Sequence, residues 1–327
     1  MKTRYWALIS LITIICIIGL SCGKDDPVSS SDSEQNSYRV YLGDGQSTFK
    51  VFQMPGDSLV QTIVLNYTYA DYRITPDGAY LLLRRYNPPS IAVISTDSFD
   101  EVASIAVSGD MFIANDENAL LVDSYQKIYK VDLSSFAIID SATTNFYLGE
   151  CDTINHITYG AGNDYGTNDS YTYLFDYQNM TVADSMMMVT PIGFAVSPNR
   201  TVPIPSKNRL YVEAMENGLI YDTQLHEFVG SFPCNAGSSI IVAPGEDFVY
   251  VAEPVEFNHS YIPIYKTTIV NISTDQVAGY FSTITNDGDK LAISKMMITP
   301  GGDYLIGVHP TTPIKINTIT GEVTRLD

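Results

Sequence analysis

Short runs along this chain alternate apolar and polar side chains with a period of two, the spacing of a half-buried β-strand. In Ser90-Ile-Ala-Val-Ile-Ser95 and Ile128-Tyr-Lys-Val-Asp-Leu133 the apolar residues mark the buried faces of such strands. The runs are grouped into a phrase of strand, Pro/Gly/Asp turn and strand. It reads Ile74-Thr-Pro-Asp-Gly-Ala-Tyr-Leu-Leu-Leu83, then Val196-Ser-Pro-Asn199, Val242-Ala-Pro-Gly-Glu-Asp-Phe-Val-Tyr-Val251 and Ile298-Thr-Pro-Gly-Gly-Asp-Tyr-Leu-Ile306. A second phrase follows: Ile128-Tyr-Lys-Val-Asp132, Thr172-Tyr-Leu-Phe-Asp176, Leu219-Ile-Tyr-Asp222, Thr268-Ile-Val-Asn271 and Ile314-Lys-Ile-Asn317. The period is roughly forty to fifty residues with four strands per unit, which predicts an all-β chain folded as a β-propeller.

Aligning the turns at Asp77, Asp116, Asn155, Asn199, Gly245 and Gly301 places copies near Tyr72, Met111, Thr153, Gly193, Ser239 and Met296. Ahead of them, Tyr38-Arg-Val-Tyr-Leu42, Thr48-Phe-Lys-Val-Phe52 and Val60-Gln-Thr-Ile-Val-Leu65 read as a further blade without its innermost strand. The expectation is a seven-bladed β-propeller of four-stranded antiparallel blades, with six and eight blades as alternatives. Closing the ring removes sheet edges that would otherwise pair with other chains. The Asp or Asn that ends each third strand is read as a turn residue, its short side chain bonding the backbone that follows.

Lys2 and Arg4 precede an apolar stretch from residue 7 to 20, interrupted by Ser10 and Thr13 and short for a membrane span. It ends in Gly19-Leu20-Ser21-Cys22-Gly23, which resembles the bacterial lipoprotein signal. That resemblance implies cleavage before Cys22 and acylation of Cys22. Residues 1–21 are then a signal peptide, 22–37 a Ser/Asp/Glu-rich disordered tether, and 38–327 the propeller domain. The expected location is the bacterial cell envelope, membrane-anchored through lipid, on the periplasmic side or the cell surface.

The formal net charge of −19 argues against nucleic acid, whose phosphates require basic surfaces, and against docking on anionic lipid through protein charge. Cations, neutral glycans and basic protein partners remain compatible. Of the four cysteines, Cys16 lies in the apolar leader and Cys22 at its end. Cys151 and Cys234 are read as isolated thiols.

The phrases Ile74-Thr-Pro-Asp-Gly-Ala-Tyr-Leu, Val242-Ala-Pro-Gly and Ile298-Thr-Pro-Gly-Gly-Asp-Tyr-Leu, each followed by an Ile/Val-x-Asp/Asn strand, resemble the YVTN-type and quinoprotein-dehydrogenase-like seven-bladed propellers. The resemblance implies the fold over nearly all of the mature chain. It implies binding proteins, lactonases or dehydrogenases as functional classes, and brings no catalytic residue with it.

In such a ring the loops between second and third strands gather on one face around the axis, where function usually lives. Here they are residues 84–89, 124–127, 160–170, 213–218, 253–263 and 309–313. Arg84, Arg85, Tyr86, Tyr125, Lys127, Tyr165, His259 and His309 are the candidate ligand-binding residues. Arginine suits carboxylate or phosphate, and tyrosine stacks on sugars. His156 is read as near the same face. Residues 160–170, rich in Gly, Asn and Asp, suggest a calcium loop, with a plain turn as the alternative; Asn286-Asp-Gly-Asp289 is a shorter case. No other cofactor is expected. The chain has no GxSxG, HExxH, GxGxxG after a strand, or CxxCH. Glu213, Glu253 and His309 are the residues an acid–base enzyme would use here. The reading is therefore non-catalytic binding of an envelope protein or glycan partner through the loop face, with a lactonase- or dehydrogenase-type propeller enzyme as the alternative.

Overall fold

The structure is a computed structural model and describes residues 37–44, 46–54, 56–124, 126–164, 169–188, 200–214, 217–234, 238–252, 266–284, 288, 293, 295–308 and 313–326. Seven antiparallel sheets follow one another along the chain. The first blade has three strands, β1 (Tyr38–Gly43), β2 (Thr48–Met54) and β3 (Ser58–Val64). The second contains β4 (Tyr69–Ile74), β5 (Tyr80–Tyr86), β6 (Pro89–Ser95) and β7 (Glu101–Ile105). The third contains β8 (Asp110–Ala114), β9 (Ala119–Asp123), β10 (Lys127–Asp132) and β11 (Ile138–Thr143); the fourth, β12 (Cys151–Asp152), β13 (Ile157–Asp164), β14 (Asp169–Asp176) and β15 (Thr181–Met187). The fifth is β16 (Arg200–Ile204), β17 (Arg209–Glu213), β18 (Gly218–Asp222) and β19 (Glu227–Phe232). The sixth is β20 (Ser239–Val242), β21 (Phe248–Ala252), β22 (Lys266–Asn271) and β23 (Gln276–Ser282), and the seventh β24 (Lys295–Ile298), β25 (Tyr304–Val308), β26 (Ile314–Asn317) and β27 (Val323–Arg325). Within every sheet the strands pair in sequence order, so each blade is a meander. Among the described residues the first blade has three strands, in line with the reading of a blade without its inner strand.

Middle strands are buried on both faces because each sheet is sandwiched between two neighbours. One apolar cluster joins Leu82, Ile91 and Val93 of the second blade to Met111, Leu120, Val122 and Val131 of the third. Another joins Tyr211 and Ile220 of the fifth to Ile240, Val249 and Val251 of the sixth. The outermost strands are solvent-facing: β3, β11 and β15 are mostly exposed.

Local chemistry repeats from blade to blade. At the first-to-second-strand turn, Thr75 Oγ1 donates to Asp77 Oδ1 at 2.6 Å and accepts from the Tyr80 N–H at 3.0 Å. Thr299 Oγ1 accepts from the Tyr304 N–H in the seventh blade. At the third-to-fourth-strand turn the Asp/Asn set accepts backbone N–H groups as expected. Asp176 Oδ1 takes those of Gln178 and Asn179, Asp222 Oδ1 those of Gln224 and Leu225, and Asn317 Oδ1 those of Ile319 and Thr320. Asp132 and Asn271 act alike. In six of the seven sheets the outermost strand bulges by one residue near its start, at Val60, Val102, Ile139, Ala183, Val229 and Ala278; the described β26–β27 pairing has no bulge. A bulge twists an edge strand and spoils it as a template for another chain.

Three expectations are corrected or bounded here. The copy at Val196-Ser-Pro-Asn199 lies outside the described residues, and the first-to-second turn of the fifth blade is instead the one-turn 3-10 helix Pro205–Lys207, closed by Asn208 at φ 52. A Pro-initiated turn ending in a left-handed Asn does the same job as the Pro-Asp-Gly turns, without their signature. The calcium-loop reading of 160–170 meets a ladder: residues 157–164 pair with 169–176. Its glycines serve packing, since a Cβ on Gly160 would stand 2.2 Å from the Phe146 ring and one on Gly162 would stand 2.9 Å from Tyr173. His156 sits in the β12–β13 turn, at the opposite end of its sheet from the second-to-third loops. Cys151 and Cys234 are free thiols, as read.

The ring closes by packing. Val40, Leu42, Phe52 and Met54 of the first blade form one cluster with Ile306 and Leu326 of the seventh. Lys315 pairs with Asp57 across the same seam. On the other side of the first blade, the Tyr72 hydroxyl donates to the Tyr41 carbonyl at 3.0 Å, meeting a β1 group that has no inner strand beside it among the described residues. Leu326→Ala should therefore lower unfolding free energy by about 2–4 kcal/mol, the usual cost of a buried leucine. Val64→Ala, on an exposed outer strand, should change it by less than about 0.5 kcal/mol. Equal effects of the two in denaturant titration would show that the closing seam is not part of the cooperative core.

Candidate functional site

The first strands of blades two to seven stand around the axis, and their starting ends enclose a cavity of about 850 Å³. Its wall includes Asp71 and Arg73 of β4, Arg84 of β5, Asp110 and Phe112 of β8, Glu150 just before β12, Arg200 of β16 and Glu213 of β17. Tyr72, Leu148, Ser238, Ser239, Ile241, Met296 and Met297 also line it. Arg84 and Glu213 lie at the ends of second strands, so the cavity opens on the face of the second-to-third-strand loops.

Four carboxylates and three guanidinium groups share this wall. Arg84 pairs with Asp110 across the seam between blades two and three. Arg200 Nη2 lies 3.0 Å from Glu150 Oε1, joining blades five and four. Arg73 Nη1 lies 3.2 Å from Asp71 Oδ2, while its Nε donates to the Met111 carbonyl on β8 at 3.0 Å. Arg73 is thus spent on structure. Arg84 and Arg200 each commit one nitrogen to a carboxylate, and Arg84 Nε is buried with no partner among the described residues. The remaining Nη donors of the two guanidinium groups are what a ligand's oxygen would meet.

The two lining rings are packed. Phe112 is buried, and burial pushes the Tyr72 hydroxyl up to about 12, keeping it a neutral donor to Tyr41. Glu213 is 3% exposed and belongs to the wall, not to the mouth.

Arg84 and Arg85 part company because successive strand residues point to opposite faces of a sheet. Arg84 turns to the axis. Arg85 turns across its own blade, with Nη1 and Nη2 on the Glu101 carboxylate at 3.1 and 3.0 Å, Nε on Ser90 Oγ, and its guanidinium over the Tyr67 ring. Tyr86 is 65% exposed at the tip of the β5–β6 hairpin. Lys127 Nζ lies 4.8 Å over the Tyr129 ring. Tyr125, Tyr165, His259, His309 and Cys22 lie outside the described residues. Sequence reasoning missed Asp71, Arg73, Asp110, Glu150 and Arg200. The available signal was a charged residue opening an otherwise apolar inner strand, as in Gly109-Asp-Met-Phe and Gly149-Glu-Cys-Asp.

Asp123, at the end of β9, sits behind this wall as the cross-strand partner of Asp110. Its Oδ2 accepts the Leu148 N–H at 2.7 Å, and its Oδ1 is buried without a partner. Burial raises its carboxyl to about 6, opposed by the Leu148 N–H and reinforced by Asp110.

No family model matches the chain, and no curated protein matches it. Among solved structures it is similar to a chain of hydrazine synthase from Kuenenia stuttgartiensis, with a TM-score of 0.66 and 13% identity, over 88% of this chain and 91% of that one. A chain of the mitotic checkpoint complex matches with a TM-score of 0.62 and 12% identity, over 84% of this chain and 81% of the other. The dihydro-heme d1 dehydrogenase NirN in complex with DHE matches with a TM-score of 0.58 and 11% identity, over 88% of this chain and 62% of that one. At these identities the likeness is one of fold, and it supports a seven-bladed β-propeller.

The Asp123 carboxyl carries a pH dependence with a definite sign. Its folded value lies above the roughly 3.9 of an unfolded aspartate, so its contribution is most favourable below about pH 4 and is lost as pH rises through about 6. Asp123→Asn should remove up to about 3 kcal/mol of the stability change between pH 4 and 7. Parallel wild-type and variant stability curves in chemical denaturation across that range would contradict the burial of this charge.

Proposed function

We propose that this chain is a lipid-anchored lipoprotein of the bacterial cell envelope, with a propeller of the YVTN type that binds a protein or glycan partner without transforming it. The observation that carries the reading is the axial cavity, whose wall holds Arg84 and Arg200, each paired through a single nitrogen with Asp110 and Glu150. A wall with both signs of charge suits a polar partner rich in donors and acceptors. It suits a strongly charged one poorly, since the protein carries −19 overall. The packing of Tyr72 and Phe112 leaves no flat ring in the described wall for a sugar to stack on, which favours a protein segment over a glycan.

The enzyme alternative, of lactonase or dehydrogenase type, rests on Glu213 in the cavity wall. Two of the similar structures are named as enzymes, but the likeness reaches only their fold.

Affinity purification of the tagged, lipidated protein from gently solubilised membranes, followed by mass spectrometry, should recover a stoichiometric partner. Arg84→Ala with Arg200→Ala should weaken its retention about 10- to 100-fold, the usual cost of lost charge-assisted hydrogen bonds. Retention unchanged in that double variant, or a turnover abolished by Glu213→Gln, would overturn the binding reading. Cys22→Ala should abolish incorporation of labelled fatty acid and release the protein from the membrane fraction. Labelling that persists in this variant would sink the anchor.

A further inference from the structure

On the face opposite the axial mouth, one seam between blades brings together side chains of a kind the other described seams do not. Asp116 and Glu117 lie in the one-turn 3-10 helix Asn115–Glu117 that joins β8 to β9 in the third blade. His156 lies in the β12–β13 turn of the fourth. One ligand atom from each of the three lies within 4.8 Å of the others, and His156 Nδ1 is 2.5 Å from Asp116 Oδ2. Elsewhere, a cation simply meets an acid: Arg209 meets Asp275 between blades five and six, and Lys315 meets Asp57 between seven and one.

The surroundings orient this trio. The Tyr177 hydroxyl donates to Asp116 Oδ1 at 2.8 Å, which leaves Oδ2 turned toward His156. Lys130 is buried, donates to the Tyr177 carbonyl at 2.9 Å, and pairs with Glu117 Oε2, which leaves the second Glu117 oxygen for another partner. Each carboxylate thus has one oxygen held by a neighbouring donor and one left over. Carboxylates that bind metals are commonly held in this way by groups behind them. Asp116 and Glu117 supply two negative charges against one from Lys130. A divalent ion offsets that excess.

We propose that Asp116, Glu117 and His156 form a zinc-class divalent transition-metal site that staples the third blade to the fourth. Imidazole with two carboxylates is a donor set for zinc and its neighbours, with bonds of about 2.0–2.2 Å and one position left for water. Ligand atoms about 2.1 Å from one tetrahedral ion stand about 3.4 Å apart, so the His156–Asp116 contact of 2.5 Å opens by about an ångström as the ion enters, and the wider separations, up to 4.8 Å, close by roughly as much. His156 is 38% exposed, so the ion has a path in and water has a place on it. The site is independent of the axial cavity.

The test uses the full-length protein in detergent, freed of metal with a chelator and titrated with Co²⁺ and then Zn²⁺. One equivalent of Co²⁺ should give visible d–d absorption that Zn²⁺ displaces. His156→Ala should weaken binding at least tenfold, Glu117→Gln likewise, and Tyr177→Phe about tenfold through loss of the group that orients Asp116. His226→Ala, in an unrelated turn, should bind as wild type does. Zn²⁺ should raise the melting temperature of wild type and leave that of His156→Ala unchanged, provided circular dichroism shows the variant folded. No Co²⁺ spectrum, or a spectrum and affinity unchanged in both His156→Ala and Glu117→Gln, would reduce the cluster to a hydrogen-bonded seam and overturn the site.

Discussion

The first and seventh blades meet through packed side chains and one ion pair, and every other seam relies on that junction. A blade is apolar on both faces, so none is stable without two neighbours. Inside the chain a neighbour is supplied by the next stretch of sequence. Between Leu326 and Val40 it must be found at a separation of nearly the whole chain. Among the described residues the first blade meets it with three strands, and Tyr72 reaches over to satisfy the Tyr41 carbonyl on β1, which has no described inner strand beside it. Burial of Val40, Leu42, Phe52 and Met54 against the seventh blade then closes the circle.

A closed ring turns weak local preferences into fixed positions. The charged residues at or near the start of four inner strands cannot leave the axis without shifting a whole sheet. Asp71, Asp110, Glu150 and Arg200, which are far apart in sequence, are therefore held around one space. Low mobility matters more than the strength of the individual pairs, because partly exposed ion pairs contribute at most about 1 kcal/mol each. Preorganised donors and acceptors cost a partner little ordering entropy. The opposite face follows the same logic with a different result. There the turns carry Asp116, His156 and Tyr177 into contact across a seam, and buried Lys130 ties the two blades together.

Some features were legible in the chain before any fold was known. The Asp/Asn residues at 132, 176, 222, 271 and 317 bond their own turns because that chemistry spans only three residues. The position of Arg84 at the mouth followed from its place at the end of a second strand. Other features were not legible. Arg85 reads the same as Arg84 in sequence, yet its neighbours Glu101, Ser90 and Ser104 come from two other strands of the sheet and claim most of its donors. The glycines at 160 and 162 looked like a flexible loop; they are the space into which Phe146 and Tyr173 pack.

What the sequence determined by itself is what depends on short separations: strand period, turn chemistry and the repeat; it left six, seven and eight blades open, and the structure has seven sheets. Alternation of apolar residues and the Pro/Gly/Asp turns act within a few residues, so they can be read without a partner. The tertiary structure alone decided which charges meet. Arg84 with Asp110, Arg200 with Glu150 and Asp116 with His156 are contacts between blades, at separations of 26, 50 and 40 residues. No local pattern specifies such pairs, because they depend on how each sheet is rotated against the next, and that rotation is set only when the ring closes.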